Sequence, residues 1–587
     1  MKFRTVFSLA LAVLLVFSCL SPGVSALGEG EEPVQVRRYA SFGSEQTDAD
    51  ALGITPAKYQ QLLERIFGTI RAFESSCSIA DFGILKTDAS RECLSRIVFK
   101  EDPTLFQVGE VSFSYSLGTN AYTAINFLSY KYDKDAYGEM LAACDRAAAQ
   151  MTADLIDSGL SQAELALILH DRLAIRCGYD YDNYLNRTVP DVSYTMCGPL
   201  VNRTAVCEGY SLAYRYLLAR VGINSRLCVS EALNHAWNIV EIDGESYHVD
   251  VTWDDPTYDV KGKVLHENFL RSTEGIRSTG HEATDFDSAP QSARFEDAWW
   301  RTRKVGGEVC YLDGSLFYID GESNTLCSRQ GDRVTTLPAD LSDVWYAGAD
   351  GSYWRGKYVY LASDGTWLYY NKTRSVWRCD PATGAATECF RPDLTQFPDF
   401  YYLYAFTVEE GKFVYEIYNT PNFTRETLYD YTFRAPIPAP SPVVPVALSV
   451  RQMPLRRVYG AGSEFDAAGL ILGVEYSDGT LGTADSGFTA AYDFTRTGER
   501  TVTVTYEGLT LSFTVTVTDL MGDLDGDGAV TSTDARMALV FAVGKQSGIS
   551  PDPALADADG DGKITATDAR LILQYAVELI DTWPAAA

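Results

Sequence analysis

Two copies of one acidic pattern close this 587-residue chain: DLDGDGAVTSTD opening at Asp523 and DADGDGKITATD opening at Asp557, 34 residues apart. Each copy has carboxylates at its first, third, fifth and twelfth positions and glycine at its sixth. Calcium is a hard cation that takes about six to eight oxygens, and this spacing wraps oxygens around a point while the glycine permits the sharp turn. The first loop is therefore expected to bind through Asp523, Asp525, Asp527, Asp534 and the Ala529 carbonyl. The second would use Asp557, Asp559, Asp561, Asp568 and the Lys563 carbonyl, giving two calcium ions in all. Thr531 and Thr565 stand ninth, where a water often mediates. An apolar helix-like run follows each loop, ARMALVFAVG and ARLILQYAVE, so the tail reads as a small all-α calcium-binding domain.

The rest of the chain is too long for one core, and its composition changes along its length. Met1–Ala26 has basic Lys2 and Arg4, an apolar run from Leu9 to Phe17 and the small-residue end Val24-Ser25-Ala26. That is a signal-peptide pattern, so the chain is expected to be secreted and extracellular, with no membrane span. Residues 27–130 read as a helical N-terminal region, with TPAKYQQLLERIFGTIRAFE starting at the helix signal Thr55-Pro56. Residues 131–300 hold the candidate catalytic domain. Residues 301–433 are rich in Tyr, Trp and Gly, with short runs such as SLFYID and KFVYEIYN, and suggest an antiparallel β module. Alternating aromatics of this kind usually pack a core. Residues 434–446 form a proline-rich linker, residues 447–518 alternate like sandwich strands, and residues 519–581 hold the calcium tail.

The net charge is −30, from 79 acidic against 49 basic residues. Such a surface repels phosphate backbones, which argues against a nucleic-acid partner. Removing Cys19 with the signal peptide leaves eleven of the 12 cysteines, an odd number that suits one free thiol plus bridges. Cys310 with Cys327, Cys379 with Cys389 and Cys77 with Cys93 are near enough in sequence to form local bridges.

Three segments in the catalytic region supply a thiol, an imidazole and a carboxylate: VCEGYS at Cys207, NHAWNIV at His235 and YHVDVTWDDP at Asp250. These are the groups needed to activate sulfur against an acyl carbon. A helix-like run from Glu208 to Val221 puts Cys207 at a helix N-terminus, where unpaired N–H groups and the helix dipole favour thiolate. His235 opens the strand-like run HAWNIVEI, and Asp243-Gly244 is a hairpin signal leading to ESYHVDVTW. If Ile242 pairs with Glu245, His235 pairs with Thr252 and Asp250 lies diagonally beside it. His248 shares strand parity with Asp250 and is the nearest competitor for the base, whereas His170, His266 and His281 have no comparable setting in the sequence.

GPLVNRTAVCEGYSLAYRYLLARVGI followed by NHAWNIVEIDGESYHVDVTWDDP resembles the core of the transglutaminase-like family, within the papain-like cysteine-enzyme superfamily. The likeness is close over residues 160–258 and looser over 60–285. It implies an α+β core with Cys207 as nucleophile, His235 as base and Asp250 as orienting group, and no cofactor for catalysis. The family includes peptidases, amide hydrolases, protein cross-linkers and members without chemistry. Hydrolysis of protein or peptide amide bonds is expected, because a carrier-bound secreted enzyme meets excess water and no reserved amine donor. Glutamine cross-linking and a non-enzymatic assembly module are the alternatives.

The duplicated loops with their following helices resemble a type I dockerin, which implies calcium-dependent attachment to a cohesin of a scaffoldin, as in cellulosomes. Ser532-Thr533 and Ala566-Thr567 match the positions that contact cohesin in that family. Leu539, Val540, Leu573 and Gln574 depart from the basic residues of some members, so the resemblance does not specify a cohesin type. An ordinary EF-hand sensor fits less well, since the twelfth ligand is Asp and not Glu. Residues 447–518 resemble a bacterial Ig-like domain, which implies a spacer. The expected fold is thus multidomain: a transglutaminase-like α+β core, an antiparallel β module, an Ig-like β-sandwich and an all-α dockerin.

Overall fold

The computed structural model describes residues 45–584 except 257–258, 348–351, 357, 399–400, 419–431, 441–443, 478–479 and 546–549. Met1–Ala26, read above as a signal peptide, lies outside the described residues. The chain divides into two compact units, Met1–Pro438 and Ala439–Ala587. Among the described residues no helix is long and apolar enough to cross a membrane.

The first unit begins with helices α1 (Glu45–Leu52), α2 (Pro56–Arg71) and α3 (Asp88–Lys100). The Thr55 hydroxyl accepts from the Lys58 N–H and Pro56 takes the first helical position, so α2 starts where the sequence signals it. Its Leu62, Ile66 and Ile70, spaced by one turn, are fully buried. The region is not purely helical, however. Strands β1 (Ser76–Ser78), β2 (Val111–Ser116) and β3 (Ala121–Phe127) form an antiparallel sheet in the order β1-β3-β2. The alternation in VSFSYS and AYTAINF is a strand signal, and Tyr122, Ile125 and Phe127 of β3 join the same core as α2.

The central core is built from α4 (Lys134–Thr152), α5 (Gln162–Arg176) and α7 (Cys207–Arg220), with a short helix α6 (Tyr181–Asn186) between the last two. Short strands β4 (Gly178–Tyr179) and β5 (Thr204–Ala205) pair in parallel and bring the chain to Cys207. Ten residues of α7, Gly209 through Leu218, are buried, so this helix runs through the core with almost no solvent face. Against it lies the antiparallel sheet β6 (Ser225–Ser230), β7 (His235–Ile242), β8 (Glu245–Val249). The Asn238 amide of β7 donates to the Ser211 carbonyl of α7 at 3.0 Å, and the Ser211 hydroxyl donates to the Ala236 carbonyl at 3.1 Å.

Beyond residue 308 the unit becomes a series of antiparallel meanders, two of them four-stranded. Tyr369, Tyr370, Tyr404, Phe406 and Phe413 are buried between strands, so these aromatics pack the module. The proline-rich stretch is shorter than its composition suggests, because strands Thr432–Pro436 and Pro445–Gln452 take up its two ends.

The expected local bridges do not form. All eleven described cysteines are free, and nine of the ten besides Cys207 are buried. Cys310 and Cys327 lie on either side of the strand Ser315–Asp320, opposite Phe317 and Tyr318, and do not face one another. Cys379 is opposite Ala386 and not Cys389. Cys144 of α4 and Cys197 do meet, with their sulfurs 2.6 Å apart in the core.

In the second unit, a three-stranded and a four-stranded sheet enclose Tyr459, Leu472, Val474, Val502, Val504 and Val517, forming a β-sandwich. The two tail helices, Ser532–Ala542 and Ala566–Ala576, pack together, and a short helix Pro553–Ala556 precedes the second acidic loop. The tail is seated on the sandwich. The Asp552 carboxylate accepts from the Gly460 N–H at 2.9 Å, and Val458 packs against the tail core.

Candidate functional site

Cys207 is the first residue of α7 and is half-buried. The residue before it, Val206, is extended (φ −100°, ψ 174°) and offers no side-chain cap, so the first-turn N–H groups have no side-chain cap. The helix start is fixed against the segment before it by the Val206 N–H donating to the Ser193 carbonyl at 3.1 Å. Gly209 makes this approach possible: a Cβ there would stand 2.4 Å from the Ser193 oxygen.

His235 opens β7, opposite Ser230 of β6, with its ring stacked against both Trp237 and Trp253 at centroid distances of 5.6 and 5.2 Å. Its Nε2 lies 2.6 Å from Asp250 Oδ2, and the Cys207 sulfur is near enough to the ring to favour its charged form. With Nε2 committed to Asp250, Nδ1 is the nitrogen left for the sulfur. Burial opposes charge on His235, but the Asp250 carboxylate and the Cys207 sulfur outweigh it and raise its pKa to about 10. Burial likewise opposes charge on Asp250, yet His235 and His281 hold it well below the usual carboxylate range.

The hairpin differs from the expected register in one respect. Asp243 (φ 52°) and Gly244 (φ 83°) make the turn, and Ile242 pairs with Glu245 as the sequence suggests. Pairing stops at Val249, however, so His235 has no partner at Thr252. Asp250 caps a short helix α8 (Val251–Asp254), its Oδ1 accepting from the Thr252 and Trp253 N–H groups at 3.0 and 3.2 Å. The carboxylate reaches His235 from a helix cap, not from a strand face.

Two other histidines take clear roles. His248 accepts from Trp237 Nε1 through Nδ1 at 3.0 Å and contacts the Thr273 hydroxyl through Nε2. Burial, with lesser contributions from His281 and two arginines, lowers its pKa to about 3, and the ring is a neutral packing group. His281, which no motif marks out, approaches the same Asp250 Oδ2 at 2.9 Å. No periodicity marks its loop, so only the folded chain reveals the contact. A separate buried network joins His170 to Asp171 and Asp254 at 2.8 and 3.2 Å and His266 to Asp171 at 3.0 Å. It ties α5 to the end of α8.

In the tail, carboxylate oxygens of Asp523, Asp525 and Asp534 lie within 4.8 Å of one another, as do those of Asp557, Asp559 and Asp568. Asp523 and Asp534 are fully buried. Burial raises the pKa of Asp523 and Asp525, and neighbouring carboxylates raise it further, a repulsion that a cation would relieve. These hard oxygen donors therefore fit calcium. The Asp527 and Asp561 carboxylates stand outside the two triplets and accept from the Ala529 and Lys563 N–H groups. Thr531 and Thr565 are helix N-caps, each forming a capping box with the twelfth-position Asp. Gly528 and Gly562, at the sixth positions, have φ of 87° and 82°. Ser532, Thr533, Ala566 and Thr567 lie exposed on the first turns of the two helices.

Family models match two segments: a dockerin type I domain over residues 521–575 and a bacterial Ig-like domain (group 3) over residues 457–517. These parts of the chain are accordingly a dockerin and an Ig-like domain. No curated protein matches the chain. Among solved structures, a TGase aligns at 16% identity over 29% of this chain, with a TM-score of 0.17. The chain spans 48% of that TGase's length. A surface protein solved in solution aligns at 32% identity over 13% of this chain and 91% of its own, with a TM-score of 0.10. Likeness at such scores carries no structural weight.

Proposed function

We propose that this protein is a secreted thiol enzyme of the transglutaminase-like kind, delivered to a scaffoldin cohesin by its calcium-dependent dockerin. The observation that carries the chemistry is the meeting of Cys207, His235 and Asp250, which arrive from a helix start, a strand start and a helix cap. Cys207, having already passed its proton to His235 Nδ1, attacks an amide carbonyl and forms first a tetrahedral oxyanion. Collapse to the thioester expels the amine, which takes the proton from His235. The Cys207 N–H, at the uncapped start of α7, is a donor available to the oxyanion. Asp250 holds the ring through Nε2 and stabilises its cation. Water, activated by the returned imidazole, then attacks the thioester and releases the acid. The substrate class is a protein or peptide amide.

The dockerin assignment supports the delivery half of this reading, with the ions held by the two carboxylate triplets. When bound, calcium would fix the loops so that Ser532, Thr533, Ala566 and Thr567 present a set surface to cohesin. An electrophilic thiol probe tests the chemistry. Selective modification of Cys207 in wild type, lost in His235→Ala, supports the enzyme; equal slow modification of both variants rejects it. Mass spectrometry of a protein mixture treated with wild type or Cys207→Ala then separates new termini and deamidated glutamine from isopeptides.

A further inference from the structure

His281 is wholly buried in the loop that follows helix α9 (Thr273–Ser278), and the chemistry above gives it no part. Its Nε2 shares Asp250 Oδ2 with His235, at 2.9 Å against 2.6 Å. Because Oδ1 already accepts from the Thr252 and Trp253 N–H groups, Asp250 receives four donors, which fills the lone-pair sites of a carboxylate. An ionised carboxylate only accepts, so the His281 proton sits on Nε2. Its Nδ1 is buried with no hydrogen-bond partner, so among the described residues Asp250 is the one polar group that holds the ring.

The surroundings hold this ring in place. The Trp253 indole lies against both imidazoles, tilted over His281 at 4.0 Å and stacked on His235 at 5.2 Å between centroids. Gly280 has φ of 113°, and a Cβ at that position would lie 3.0 Å from the Trp253 ring. The backbone can therefore pass close over the indole and aim His281 at Asp250 only with glycine there.

We propose that His281 is a positioning residue for the thiol site, one that divides Asp250 Oδ2 between two N–H donors and so limits how strongly the carboxylate draws on the His235 proton. This inference rests on the thiol-enzyme reading. A carboxylate with one donor fewer is a stronger acceptor for the remaining one. Without His281, the His235 cation would keep its proton more firmly and serve the departing amine less well. The other groups facing the cluster stay in place: Cys207 from α7, Arg226 and Cys228 from β6, His248 from β8, Arg277 from α9, and Asp285 and Asp287 from the His281 loop.

The test is carboxymethylation of Cys207 by iodoacetate on the full chain, followed by peptide mass spectrometry across pH. Iodoacetate is an anion drawn by the imidazolium, so its reaction falls where His235 loses its proton. H281F keeps a ring but removes the donor, and should move this basic limb upward by about one pH unit, roughly tenfold in rate on the limb. H281Q, whose amide N–H has similar reach, should restore the wild-type limb. If H281F melts below the assay temperature, H281N, too short to reach Oδ2, takes its place. A limb that stays in place or moves down in the donor-free variant overturns the proposal, as does H281Q behaving like H281F. His235→Ala is the separate control: if it leaves Cys207 carboxymethylation unchanged, the thiol-enzyme reading fails whatever His281 does.

Discussion

Asp250 Oδ2 and His235 Nε2 come within 2.6 Å because the hairpin stops pairing one residue before the aspartate. Freed from the strand, Asp250 uses one oxygen to cap α8 and the other to hold the imidazole. The cap fixes the carboxylate through two backbone N–H groups, so the side chain that orients His235 is itself held by main chain.

Asp250→Asn should therefore cost stability, about 3 kcal/mol for a broken buried pair, with a definite pH signature. Asp250 has a lowered pKa, so its contribution is present above the unfolded value near 4 and is lost as pH falls below it. His235 has a raised pKa, so its contribution is full below about 6.5 and is lost as pH rises towards about 10. The difference in melting temperature between wild type and variant should be largest between about pH 4 and 6.5 and shrink on both sides. A difference independent of pH would show that the two groups are not an ion pair.

Gly209→Ala tests how the nucleophile is placed. Alanine favours a helix over glycine by about 1 kcal/mol, so an unhindered site would gain stability. Here the new methyl would meet the Ser193 carbonyl at 2.4 Å, and the helix start must move. The expected result is a net loss of about 1–3 kcal/mol by denaturant melting, together with slower alkylation of Cys207. A more stable, equally reactive variant would refute the contact.

His248→Gln separates the two histidines of the hairpin. With its pKa lowered to about 3 and both nitrogens engaged, His248 has no proton to exchange near neutral pH. The variant should lose about 1 kcal/mol from its hydrogen bonds while the pH profile of Cys207 alkylation stays that of wild type. A displaced profile would make His248 a participant.

What the sequence disclosed follows the range of the interactions involved. The turn Asp243-Gly244 and the partners Ile242 and Glu245 were legible because hairpin register is set locally by the turn. The acidic loops were legible for the same reason, each lying within twelve residues of chain with its capping threonine. The switch from strand to helix at Asp250 was missed although Asp is a good N-cap, because the alternation in ESYHVDVTW masks it. His281 was invisible. Its contact with Asp250 spans 31 positions and depends on Gly280 passing over Trp253, an arrangement that no local pattern records. The N-terminal sheet is hidden for a simpler reason: the amphipathic α2 dominates the reading of the region, although VSFSYS and AYTAINF carry a strand alternation of their own.

Calcium removal should reach further than the loops, but not as far as the thiol. Asp523, Asp525 and Asp534 crowd together, and so do Asp557, Asp559 and Asp568, so a chelator leaves like charges facing each other across both loops. The tail should unfold and capture by a cohesin should cease, while Cys207 alkylation is unchanged. Because Asp552 accepts from the Gly460 N–H and Val458 packs on the tail core, the Ig-like strand Val458–Gly460 should also lose protection. Hydrogen exchange at Gly460 would then accelerate on chelation in wild type. In Asp552→Ala it should be fast even with calcium, since the acceptor is gone, while the loops still bind the ion. Exchange at Gly460 that ignores chelation would mean that the tail and the sandwich are independent, and capture that survives chelation would remove calcium from the docking argument.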